Sequence, residues 1–143
     1  MFLCFFSVDQ IVLGLDFNVN VERLTPDDMD EVRSWWTKRG MLAPPDEWFS
    51  NLGLWVPHVC AVWLYATDSG KGYVDDIITN PDVPGIDRGA GLFALDTELT
   101  ELASSLGIRW LVGNTQHGSM ATRMELAGWR RNAEPHLIFV KEI

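Results

Sequence analysis

The run Asp87-Arg88-Gly89-Ala90-Gly91, followed by a helical pattern from Leu92 to Leu106, decides how this chain is read. Leu92, Leu95, Leu99, Leu102, Ala103 and Leu106 recur at three- and four-residue spacing, the pattern of an amphipathic helix, and Gly107 supplies its stop. Ile108-Arg109-Trp110-Leu111-Val112-Gly113 follows, a nearly continuous apolar run of the kind expected of a central strand covered on both faces, and then Asn114. Ser119 opens a last short helix that closes on Ala127-Gly128-Trp129. A glycine-rich turn feeding a helix gathers free backbone N–H groups at the positive end of the helix dipole, which makes it a cradle for phosphate. Such turns are common. The ordered combination of turn, helix, strand, Asn, helix and Gly-aromatic pair therefore carries the reading, and the turn alone does not.

Upstream of this stretch, Asn18 to Leu24 alternates and reads as a first strand. Thr25-Pro26-Asp27-Asp28 reads as an N-cap, a proline at the first helical position and acids in the first turn; the helix runs through Met29, Val32, Trp35 and Trp36 and stops at Arg39-Gly40. Pro44-Pro45-Asp46-Glu47 opens a short helix that ends near Ser50. Gly53–Val56 and Val59–Thr67 read as strands broken at Pro57-His58, where His58 borders a strand in a structural role, as His136 does later. Asp68-Ser69-Gly70-Lys71-Gly72 is a hairpin turn, and Tyr73–Thr79 is the fourth strand. Asn80-Pro81-Asp82-Val83-Pro84-Gly85 ends it, because two prolines cannot continue a ladder. His136 to Lys141 supplies a final strand. The order predicts one α+β domain over residues 18–143, a mixed, mostly antiparallel sheet flanked by about four helices. Residues 1–17 read as an extension or an extra strand.

Composition narrows the function classes. The chain has 143 residues, enough for one domain with a substantial core, and its 47% apolar and 22% charged residues are an ordinary globular balance. Seven tryptophans predict a Trp-rich core. Eleven basic residues stand against 20 acidic ones, a net charge of -9, with no cluster of Lys and Arg of the kind that grips a duplex. Nucleic acid is thus a poor candidate partner, whereas a cationic substrate is compatible with the charge. Cys4 and Cys60 offer neither metal spacing nor a disulfide framework, which fits a reducing cytoplasm. The apolar opening Met1-Phe2-Leu3-Cys4-Phe5-Phe6 is too short for a membrane span and lacks the positive flank of a signal peptide.

The element order and motifs resemble the GNAT N-acetyltransferase superfamily across about residues 18–143, with Asn80-Pro81-Asp82 at the strand exit, Arg88 to Leu92 at the glycine-rich turn, Asn114, and Gly128-Trp129. The resemblance implies acetyl-CoA as co-substrate, no metal, and a V-shaped gap between the fourth and fifth strands for the pantetheine arm. Backbone of the fourth strand (Ile77, Ile78, Thr79) would polarise the thioester carbonyl. N–H groups from Arg88 through Gly89, Ala90, Gly91 and Leu92 to Phe93 would hold the pyrophosphate, and Asn114 would contact pantetheine. The register of the turn is irregular, since pairing Gly89 with Gly91 puts the family's basic position on Ile86 and leaves Arg88 two places later. GNAT enzymes often carry a carboxylate on the fourth strand as base for the acceptor amine. By that resemblance Asp75 or Asp76 would fill the role, and strand alternation predicts that the two point to opposite faces. His117 is a further acid or base near neutral pH, and Tyr65 and Tyr73 are alternative hydroxyl donors. The first two helices would wall the acceptor site, with Trp35, Trp36, Arg39 and Tyr73 as substrate contacts. Trp35-Trp36, Arg39-Gly40 and Pro44-Pro45 are similar to stretches of small acetyltransferase-like proteins of tailed phages.

Two functions from different classes follow. One is direct acetyl transfer from acetyl-CoA to a primary amine on a small molecule or peptide. The other is a GNAT-fold binding or structural module, of a virion or elsewhere, that has lost turnover. Met124 favours the second, because it stands where the family often has a proton-donating Tyr, and a thioether has no proton to give. Pairing of two copies through the apolar N-terminal segment is a further expectation.

Overall fold

The computed structural model describes residues 19–115 and 118–131. Residues 1–17, His117 and the strand expected at His136–Lys141 lie outside the described residues. The chain forms two compact units, the first ending at Gly113 and the second beginning at Asn114.

The first unit is built on a five-stranded sheet in sequential order: β1 (Glu22–Arg23), β2 (Gly53–Val56), β3 (Cys60–Ala66), β4 (Lys71–Thr79) and β5 (Trp110–Gly113). The first three junctions are antiparallel and β4–β5 is parallel, so the sheet is mixed and mostly antiparallel, as expected. A parallel neighbour requires a crossover, and helix α2 (Gly85–Ser105) supplies it. β1 is only two residues long, shorter than the alternation of 18–24 predicts, although Leu24 N–H still donates to Gly53 O at 2.9 Å.

Helix α1 (Met29–Lys38) starts and stops where its signals stand. A single 3-10 turn, Pro26–Asp28, leads into it, and Asp28 Oδ2 accepts both the N–H and the hydroxyl of Thr25 at 2.8 Å. At its far end Gly40 adopts φ 70; its N–H donates to Thr37 O and that of Met41 to Trp36 O. The same pair of bonds closes α2, with Gly107 (φ 76) and Ile108 as donors. This is the Schellman stop, and it needs a residue that tolerates the left-handed region.

One face of the sheet holds an aromatic core under α1: Val32, Trp35 and Trp36 pack with Trp55, Ala61, Trp63 and Ile78. Trp35 lies 6.5 Å from Trp55, and Trp36 lies 6.2 Å from Trp63 and 5.9 Å from Phe49. Each such ring pair contributes about 0.5–1.5 kcal/mol beyond simple burial. Helix α2 covers the other face over β2 and β3. There, Gly91 is packed so closely that a Cβ would sit 2.8 Å from Cys60 Sγ and 3.0 Å from Val59 Cγ1. β5 departs from its expected burial on both faces. Among the described residues it is the edge strand, and Trp110 (64% exposed) and Val112 (37%) lie open.

Candidate active site

Strands β4 and β5 pair from Lys71↔Trp110 to Val74↔Gly113, and there the partnership ends. Among the described residues β4 continues through Asp75–Thr79 with β3 on one side only, keeping the pairs Ala61↔Ile78 and Cys60↔Thr79. The opening between two parallel neighbours thus begins at Asp75. At this point the β3–β4 ladder slips: Trp63 faces Asp75 and Ala61 faces Ile78, so Val62 alone opposes both Asp76 and Ile77. This is a β-bulge, with Asp76 in the left-handed region at φ 57. Its cause lies in the core. A regular strand of this sequence would put Ile78 on the face opposite Asp75, and the extra residue instead delivers Ile78, 4% exposed, to the aromatic core on the Asp75 side.

The bulge overturns the expectation that Asp75 and Asp76 point to opposite faces. Tyr65 belongs to the α1 face, opposite Tyr73, and its hydroxyl donates to Asp76 Oδ2. The bulged residue's side chain is therefore turned to the same face as Asp75. Asp75 Oδ1 accepts the N–H of Asp76 at 2.9 Å. Burial of Asp76 raises its carboxyl above the ordinary range; the Tyr65 hydrogen bond works against this, and the Asp75 charge adds to it. Burial likewise raises the Tyr65 phenol, reinforced by its bond to Asp76 and by both carboxylate charges. Tyr73 stands on the same face, 38% exposed, with Lys71 Nζ 5.0 Å above its ring.

At the exit end of β4 a cationic locus forms. Arg39, the residue after α1, donates from Nη2 to Thr79 Oγ1 at 2.6 Å and to Thr79 O at 3.0 Å. Its neighbour Lys38 pairs with Asp82, so the end of α1 is tied to the loop leaving β4. Arg88 lies in the first turn of α2 and folds back, its Nη2 3.6 Å from where a Cβ on Gly85 would be. Burial, and then the Arg88 charge, lower the proton affinity of Arg39. Two guanidinium groups are thus near enough to repel, and among the described residues no carboxylate pairs with either. The N–H groups of Asp87 and Arg88 both turn back to Pro84 O, leaving those of Gly85 and Ile86 as the outward first-turn donors. Uncompensated guanidinium groups beside a helix N-terminus form a site for an anion.

Several site expectations change. The glycine-rich stretch is not a turn: α2 begins at Gly85 behind an extended Pro84, seven residues before the expected start at Leu92. From Gly89 through Ala90, Gly91, Leu92 and Phe93 the amides belong to the helical ladder and are not available to a pyrophosphate, while Arg88 remains near its N-terminus. Trp35 (0% exposed) and Trp36 (7%) are core residues and line no open wall, because the sheet covers one and Phe49 with Trp63 covers the other. Arg39 reaches the end of β4, Ile78 is buried, and Ile77 and Thr79 are half-buried on the open stretch of β4. Tyr65, weighed from sequence only as one alternative hydroxyl, proves to be the partner of Asp76. Two adjacent aspartates inside a β-branched strand were the available signal, since Asp is poor in regular strands and tolerates the left-handed region.

In the second unit, Asn114 is exposed and α3 (Gly118–Leu126) carries Met124 half-buried. It ends with Gly128 at φ 92 and the Trp129 N–H on Met124 O at 3.0 Å, so the Gly-aromatic pair is a Schellman stop in its own right. Among the described residues no group of His, Cys, Asp and Glu is arranged to hold a metal, and no helix is long and apolar enough to cross a membrane.

No family model matches the sequence, and no curated protein is significantly similar to it. Solved structures are. An acetyltransferase of Trypanosoma brucei superposes with a TM-score of 0.59 over 85% of this chain and 99% of its own, at 15% identity. A second protein, described as a probable acetyltransferase, gives 0.58 over 86% and 99% at 11% identity. What is shared with these acetyltransferases at such identities is the fold, which in this chain is a mixed sheet with a parallel β4–β5 pair and helices on both faces.

Proposed function

We propose that this protein transfers an acetyl group from acetyl-CoA to a primary amine by direct attack within a ternary complex. The observation that carries this reading is the half-buried Asp76 carboxylate at the vertex of the β4–β5 opening. Acetyl-CoA supplies an activated thioester and anionic phosphates. The chain's residues fit it: Arg39, Arg88 and the first amides of α2 suit the phosphates, and the β4 edge beyond Val74 has main-chain groups that β5 does not take up. Asp76 accepts a proton from the incoming ammonium group, so that the nitrogen lone pair is free to form the C–N bond as the C–S bond breaks. Asp75 already accepts the Asp76 amide and serves to hold the bulge. The second proton, which the nitrogen sheds as the amide forms, reaches the departing thiolate through water, because Met124 has no proton to give. Raised proton affinity suits Asp76 to take a proton and to release it later.

Thermal unfolding with added acetyl-CoA tests the first step, since a ligand at 100 times its Kd stabilises the native state by about 2.7 kcal/mol. No shift at saturating concentrations overturns the proposal. Release of free thiol across a panel of amines tests the second step, and Asp76→Asn should slow it by about 100-fold or more. Binding without thiol release from any amine supports the second reading, a module without turnover, which Met124 favours.

A further inference from the structure

We propose that Tyr65 is the positioning residue for Asp76: its hydroxyl fixes Oδ2 of the carboxylate and leaves Oδ1 as the atom that takes the acceptor's proton. The inference rests on the reading of Asp76 as base. A bulged residue lacks the two-sided ladder that fixes side-chain direction in a regular strand, so the aim of Asp76 must come from elsewhere. Two contacts provide it. Asp75 Oδ1 holds the Asp76 amide at 2.9 Å, and the Tyr65 hydroxyl holds Oδ2. The Tyr65 ring is itself braced, packed against the aromatic core beneath α1, and a phenol has only two side-chain torsions to fix. Register makes the contact diagonal: Tyr65 faces Tyr73 across the ladder, and its hydroxyl reaches along the face to a residue three places further on. Among the described residues nothing engages Oδ1 of Asp76, so one oxygen is anchored and the other is open.

The same geometry argues against Tyr65 as the acid that protonates the leaving thiolate. An ordinary phenol titrates near pH ~10 and an ordinary thiol near ~8.5. Burial and the two carboxylates move Tyr65 further up, away from the thiol, so it keeps its proton and uses it as a hydrogen-bond donor.

Tyr65→Phe removes one oxygen and retains the ring. The carboxyl of Asp76, followed by carbon NMR in the full chain, should titrate at higher pH in Tyr65→Phe than in the wild type, because a hydrogen bond favouring the charged form is lost. An unchanged titration overturns the proposal whether or not the protein turns over. With an active amine in hand, kcat should fall about 10–100-fold, the usual worth of a hydrogen bond to a charged group, while the KM for acetyl-CoA stays put. The acidic limb of kcat/KM should move up in parallel; a merely structural tyrosine would lower thermal stability and leave that limb in place. The Tyr65→Phe, Asp76→Asn double variant should be no slower than Asp76→Asn alone, and multiplying losses would overturn the assignment. Absence of thiol release by the wild type refutes acetyl transfer and leaves the coupling of Tyr65 to Asp76 to the titration.

Discussion

At Asp76 burial and ionisation oppose each other. Burial makes the folded protein bind the Asp76 proton more tightly than the unfolded chain does, where an aspartate titrates near pH ~3.9. Between that value and the raised native value the folded state carries more bound proton. Stability contributed by this group therefore falls as pH rises through the window, and is level above it. Asp76→Asn cannot ionise and suits the left-handed backbone at φ 57. We expect it to be at least as stable as the wild type at neutral pH, by urea unfolding, while thiol release collapses. Its stability should also lack the decline that the wild type shows on leaving the acidic range. A variant that is both inactive and less stable would mean that the carboxylate is structural. The rate should have the opposite pH dependence, with kcat/KM rising as Asp76 loses its proton, along a limb above the ordinary aspartate range.

Among the elements, α2 and its two critical glycines separate two causes of cost. Gly91→Ala places a methyl 2.8 Å from Cys60 Sγ in a helix interior that otherwise welcomes alanine. Overpacking of this kind costs about 1–3 kcal/mol. Cys60→Ala should relieve part of it, so the two changes together should cost less than their sum in urea unfolding. Gly107→Ala meets nothing within 4 Å and costs about 1–2 kcal/mol through its left-handed backbone alone, and Gly107→Asn should recover part of that. The contrast explains what the sequence discloses. Helix α1 is legible because Thr25-Pro26 and Gly40 act on their own immediate neighbours. The β3–β4 hairpin is legible for the same reason. The start of α2 is not, because Gly89 and Gly91 look locally like a turn, while Gly91 packs against Val59 and Cys60, which the local sequence does not mention. Trp35 and Trp36 are adjacent on α1, so periodicity alone buries one of them; Phe49, far along the chain, covers the second. The candidate base was legible as a pair of aspartates, while its direction depended on a bulge imposed by the burial of Ile78.

For the molecule as a whole, a net charge of -9 surrounds the place where Arg39 and Arg88 stand close together with no carboxylate paired to either among the described residues. On the proposed function, an anionic co-substrate would approach against the general field and be held by the local one. Arg39→Gln should therefore raise the KM for acetyl-CoA about 10–100-fold with little change in kcat, the cost of a lost charge-assisted hydrogen bond. Added salt should weaken acetyl-CoA binding less in that variant than in the wild type, because less attraction is left to screen. A salt response equal in both proteins would place the anion elsewhere. The bulge in β4 has a last consequence, for the length of the chain. Take out Asp76 alone and Val62 would meet Ile77, with Trp63↔Asp75 and Ala61↔Ile78 preserved on either side. Every rung would close and Ile78 would keep its place in the core. The sheet, in other words, is complete without that residue. Asp76 is a surplus letter as far as the ladder is concerned, and a protein shorter by that one residue should fold soundly and, on the proposal that Asp76 is the base, release no thiol.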